Sequence, residues 1–158
     1  VAGVTQPTVV QLTPHQRLTV LESTPERLVV ESFWEATAGD PLRHCHPTQR
    51  EEFEVLEGRL RVVRDERIEI VEAGGRFSVA PGVVHGMTSD GVATRARWEI
   101  TPALGTEAMF RGLAAADARG RLAQLRVLAD HRAEMRLASP PDVVQRVLLG
   151  VVRLLPGG

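Results

Sequence analysis

The chain has 158 residues with 19 basic and 20 acidic side chains, a formal net charge of −1, and is 43% apolar and 25% charged. Those values fit one globular domain able to bury a core unaided; they exclude a disordered chain and remove the electrostatic case for nucleic acid or an anionic membrane surface. With Cys45 as its one cysteine the chain forms no internal disulfide, and without Lys, Tyr or Asn it has no Schiff-base amine, no phosphate-loop lysine and no phenolic acid.

Arg stands wherever another chain would carry Lys, which matches GC-rich coding rather than selection for guanidinium. Val1 to Val10 lacks the basic and long apolar regions of a signal peptide. The longest apolar stretch, Val143 to Leu155, contains Arg146, Gly150 and Arg153 and is too short and too charged to span a bilayer. A cytoplasmic location is the expectation.

From about Gln16 to Thr101 the chain reads as short strands: Leu18 to Leu21, Arg27 to Thr37, Glu52 to Leu56, Arg59 to Arg64, Arg67 to Glu72, Arg76 to Val79 and Thr94 to Thr101. Each run is β-branched or alternating. Turn signals separate them, among them Gly39-Asp40-Pro41, Glu57-Gly58, Gly74-Gly75, Pro81-Gly82 and Asp90-Gly91. In the last run Ala96, Trp98 and Ile100 alternate with Arg95, Arg97 and Glu99, so one face is buried and the other charged. Strands at this spacing predict an antiparallel sandwich or barrel.

The period changes at Pro102. Helices are expected over about Gly105 to Ala118 with Thr106 as N-cap, over about Leu122 to Leu137, and over about Asp142 to Leu155. Ser139-Pro140-Pro141 announces the third and Pro156-Gly157-Gly158 ends it. The predicted architecture is mainly β: a barrel with an N-terminal strand segment over residues 1–102, then a helical extension over 103–158 packed on the barrel or at a dimer interface.

Two windows carry chemistry. In the first, His44 and His46 are two apart, so on a strand both imidazoles share a face; after Pro47 bends the chain, Glu51 opens the next strand. In the second, the Pro81-Gly82 turn delivers His85. Three imidazoles and a carboxylate on neighbouring strands suit a first-row transition metal.

These windows resemble the two motifs of the cupin superfamily. His44, His46, Glu51 and Gly58 match the first, although Gly39 lies five residues before His44 where six are usual. Gly74, Gly82 and His85 match the second, with Ala80 at the Pro position beside Pro81 and Ser89 at the Asn position. The likeness covers about residues 15–102, and the helical segment is similar to the tails of many small bacterial cupins that carry no assigned reaction. It implies a double-stranded β-helix, or jelly-roll, barrel. It also implies one divalent transition metal per chain (Fe, Mn, Ni, Cu or Zn) held by His44, His46, Glu51 and His85.

Phe53, Phe77 and Met87 share the parity of Glu51, Val79 and His85 and are expected to line a pocket beside the metal, with Gln49 as a further contact to substrate. An apolar wall favours an apolar or aromatic small molecule. Cys45 and Glu52 should face away from the site, and His15 and His131 should be surface residues. The resemblance implies an enzyme with dioxygenase, isomerase or cyclase chemistry, in which Glu51 is both ligand and proton acceptor. A non-catalytic metal-containing binding or sensing module and a structural dimerisation unit are the alternatives. The apolar circumference of the third helix predicts a homodimer, through the barrel's sheet edge, the helical tail or both.

Overall fold

The computed structural model describes residues 8–155; the expected stop at Pro156-Gly157-Gly158 lies outside them. Eleven strands and three helices follow in order: β1 (Thr8–Thr13), β2 (Gln16–Ser23), β3 (Leu28–Trp34), β4 (His44–Cys45), β5 (Arg50–Glu57), β6 (Arg59–Arg64), β7 (Arg67–Glu72), β8 (Arg76–Val79), β9 (His85–Ser89), β10 (Thr94–Thr101), α1 (Thr106–Asp117), α2 (Arg121–Asp130), β11 (Arg136–Leu137) and α3 (Asp142–Leu154). Two antiparallel sheets face each other, one ordered β1-β2-β3-β10-β5-β8 and the other β11-β4-β9-β6-β7. This is the expected mainly-β jelly roll followed by three helices.

Alternation sets each strand's inner face. In β10, Ala96, Trp98 and Ile100 are buried, whereas Arg95 pairs outside with Glu31 and Glu57. One core cluster joins the six-stranded sheet to the helical segment, since Leu18, Phe53 and Trp98 pack with Ala103, Met109, Phe110 and Met135. A second cluster gathers around Trp34, Val55, Leu60 and Val62. The extension therefore packs on the barrel through a shared core.

Three boundaries differ from expectation. Strand β1 precedes the strands expected from about Gln16 and pairs along β2. Thr106 is the first residue of α1 rather than its cap; Gly105 occupies that position and the Thr106 hydroxyl donates to the Ala103 carbonyl at 2.7 Å. The second helix stops at Asp130, and Arg136–Leu137 pair as a strand with Cys45 and His44. Met135, beyond the end of that helix, packs into the same core.

Gly58, between β5 and β6, has φ +73°, and a Cβ there would lie 2.4 Å from the Ala93 carbonyl and 2.6 Å from Thr94 Oγ1. Both the left-handed backbone and the close approach require glycine. Gly58→Ala is expected to destabilise the fold by about 2–4 kcal/mol. The check is a lowered denaturant midpoint at unchanged slope, and an unchanged midpoint contradicts it.

On α3 the inward residues are Gln145 and Leu149, while Val143, Val147, Val151 and Leu154 are 73, 67, 52 and 86% exposed. Among the described residues no helix is long and apolar enough to cross a membrane.

Candidate metal centre

His44 lies on the short strand β4 and pairs across to His85, the first residue of β9. Close passage of the chain makes this pairing possible: a Cβ on Gly86 would lie 2.6 Å from the Leu42 carbonyl, so only glycine lets the 41–42 segment cross β9 there. His46 follows β4, and Glu51 is the second residue of β5, inward by strand parity.

The three rings converge. Their centroids are 5.0 Å (His44–His46), 4.5 Å (His44–His85) and 5.3 Å (His46–His85) apart, and one ligand nitrogen from each lies within 4.8 Å of the others. Each ring is oriented from behind by a backbone carbonyl at Nδ1: Leu42 at 3.0 Å for His44, Val83 at 2.9 Å for His85 and Glu134 at 2.6 Å for His46. A ring fixed through Nδ1 presents Nε2, the arrangement common to imidazoles that ligate metals.

Glu51 is fully buried beside two of these rings, 3.1 Å from His46 Nε2 and 2.7 Å from His85 Nε2. Trp98 Nε1 donates to its Oε1 at 3.1 Å. Despite the short distances, His46 Nε2, His85 Nε2 and Glu51 Oε2 are buried without a hydrogen-bond partner, because their contacts lack hydrogen-bond geometry. Buried orphan acceptors are costly. A cation among them would engage all three lone pairs, so the residues fit a divalent metal.

The electrostatics agree with a clustered charge pair. Burial lowers the His44 pKa, helped by the neighbouring His85 and His46, to about 4. Burial would lower that of His46 too, but contact with Glu51 and the Glu134 carbonyl outweighs it and the value is raised. Burial would raise the Glu51 carboxyl; its contacts with His46 and His85 win and hold it well below the usual carboxylate range.

The cluster faces a cavity of about 500 Å³ whose exposed wall is mostly apolar. Met87 lines it together with Trp34, Trp98, Phe110, Leu128 and Met135. Phe53 and Phe77 do not. They stack on each other at 4.7 Å and Phe53 stacks on Trp98 at 5.4 Å, filling core away from the cavity. Gln49 is also outside the wall: its buried amide donates to the carbonyls of Pro102 and Ala103 at 2.9 Å and to Thr106 Oγ1 at 2.8 Å. It fastens the junction to the helices instead of reaching a substrate. The strand-end residues Leu12 and Thr13 and the helix residues Phe110, Leu113 and Leu128 form wall that sequence parity could not assign, because they come from outside the motif strands.

The remaining expectations fall as follows. Glu52 faces outward, Cys45 is half-buried, and His15 is exposed at the cavity rim 3.2 Å from Glu35. His131 caps α2 and is half-buried. Ser89, at the family's Asn position, is buried and donates to the Glu35 carbonyl at 2.6 Å, pinning the end of β3's loop.

Residues 33–101 match the family model described as Cupin domain. The fold is similar to that of an RmlC-like cupin from Shewanella frigidimarina, at 23% identity and TM-score 0.57, covering 62% of this chain and 86% of that one. It is similar to KdgF from Halomonas sp. at 16% identity and TM-score 0.55, covering 60% and 86%. A third likeness, to Fe(II) HppE, has 15% identity and TM-score 0.54 and covers 60% and 56%. No curated protein matches the chain.

Proposed function

The chain carries a cupin-superfamily domain, and from that premise we propose that it is a metal-dependent enzyme for a small apolar or aromatic molecule, with His44, His46, His85 and Glu51 as ligands of one divalent transition metal. The observation that carries this reading is the convergence of three imidazoles on a mostly apolar cavity, with the buried Glu51 carboxylate against two of them and orphaned lone pairs between. When bound, the metal supplies Lewis-acid or redox chemistry at coordination positions that four protein ligands leave open.

The chain's own residues do the rest. Trp34, Trp98, Phe110 and Met135 bind the apolar body of a ligand and exclude water from the floor. Among the described lining residues there is no Arg, so the wall has no grip for a carboxylate or phosphate. Trp98 N–H holds Glu51 Oε1, so Oε2 is the atom that would hold the metal and that takes a substrate proton only on shifting from that position. His46 and His85 hold that carboxyl's pKa down, so proton uptake requires the carboxylate to shift away from one of them.

The test is elemental analysis with O2 uptake and product formation over diketones, catechols and polyketide-like phenols. About one metal per chain and turnover that stops on chelation are expected. Turnover at full rate by metal-stripped protein overturns the reading, and stoichiometric metal with ligand binding but no turnover on any substrate makes the chain a binding module.

The exposed stripe on α3 supports a homodimer in which two such helices pack together, since four apolar side chains recur along one face of a helix of more than three turns. Light scattering at micromolar concentration is expected to give twice the chain mass. Val147→Asp with Val151→Asp is expected to give a monomer. A wild-type monomer contradicts the pairing.

A further inference from the structure

The three histidines are not supported alike. His44 and His85 find their Nδ1 partners two residues away, on carbonyls present whenever the local chain is formed. The partner of His46 is the carbonyl of Glu134, 88 residues on, at the shortest of the three distances. Glu134 is itself tied down. It is 8% exposed, its N–H donates to the His131 carbonyl at 3.1 Å, and its Oε1 accepts the N–H of Gly105, the residue capping α1, at 3.1 Å. Gln49, in the same loop as His46, holds the other end of the helical segment at Pro102, Ala103 and Thr106. One short loop of the barrel thus grips the extension at both ends of the α1–α2 unit.

We propose that Glu134 is a positioning residue of the metal centre, and that metal binding and docking of the 103–137 segment form one coupled equilibrium; this rests on the reading that the histidines bind a metal. The chemistry is that of imidazole. With Nε2 engaged by a cation, the ring proton is on Nδ1 and donates to the Glu134 carbonyl. With Nε2 free, the neutral ring can carry its proton there instead, and Nδ1 then turns a lone pair toward that carbonyl. The metal therefore favours the docked segment, and by linkage the docked segment favours the metal by the same factor. An outer hydrogen bond also raises the basicity of the ligand nitrogen. Because Phe110 and Met135 belong to the docked segment and to the cavity wall, its release opens the cavity.

The test uses the full chain and Ni2+ alone. Amide hydrogen exchange is expected to slow about tenfold or more on Ni2+ addition at 103–109 and 131–138, and to stay unchanged in the hairpin of 59–72. Glu134→Ala, whose side chain touches none of the imidazoles, is expected to weaken Ni2+ binding by about tenfold and to lose the protection. Glu134→Gln, which keeps an acceptor for Gly105, is expected to restore both. Exchange at 131–138 that ignores Ni2+ in a wild type that binds it overturns the coupling alone, as does equal Ni2+ affinity in Glu134→Ala. A wild type that binds no Ni2+, Zn2+ or Fe2+ overturns the coupling and the metal reading together. The wild-type exchange comparison decides the matter even where the alanine variant does not fold.

Discussion

Replacing His44 and His85 by alanine is expected to abolish stoichiometric metal while the barrel stays folded. These two rings supply the pair across β4 and β9 and two of the three convergent nitrogens. Neither belongs to either hydrophobic cluster, and their Nδ1 partners are local carbonyls, so their removal leaves the packing and the extension's anchor at His46 in place. Wild-type protein should gain thermal stability with added metal, by about 2.7 kcal/mol at one hundred times the dissociation constant. The double variant should show no such gain. Full occupancy in the variant by elemental analysis would falsify the ligand assignment.

Glu51→Gln is the second large effect. The amide preserves size and can still accept from Trp98 Nε1, so the fold and a weakened metal site should survive. It cannot take a proton, and general-base loss costs on the order of 10²–10⁴ in rate. The expected result is turnover reduced by that factor with metal content reduced far less. Wild-type turnover in the Gln variant removes Glu51 from the proton path, whereas parallel loss of metal and rate assigns it to ligation alone.

Much of this was legible in the residues. The bounds of β6, β7, β8 and β10 fall where alternation meets a Gly or Asp turn, because a two-residue period with one buried face leaves little freedom of register. The proximity of His44, His46 and His85 was legible from the two motif windows, and Glu51 as their neighbour from the family resemblance those windows carry. Depth was not. Parity correctly turns Phe53 inward, yet the barrel interior has a floor and an end, and whether an inward ring meets the cavity or the core depends on its neighbours across the sheet, here Phe77 and Trp98. The wall supplied by Phe110, Leu128 and Met135 depends on how the helices fold back, which no local pattern states. Gln49 looked like a substrate contact because it sits between metal ligands in sequence; its carbonyl partners at Pro102 and Ala103 lie over fifty residues away.

The two-residue strand β11 has a bearing on biosynthesis. Among the described residues it lies at the edge of its sheet and pairs only with β4, the strand that carries His44, and the adjoining Glu134 supplies the carbonyl behind His46. During vectorial synthesis the barrel strands through β10 emerge first, but these two long-range contacts must wait until residue 137 has left the ribosome. The first histidine window is therefore the last part of the cluster to be fixed. A nascent barrel carries His44 on a strand paired on one side alone, and His46 then lacks the carbonyl that the finished chain sets behind it.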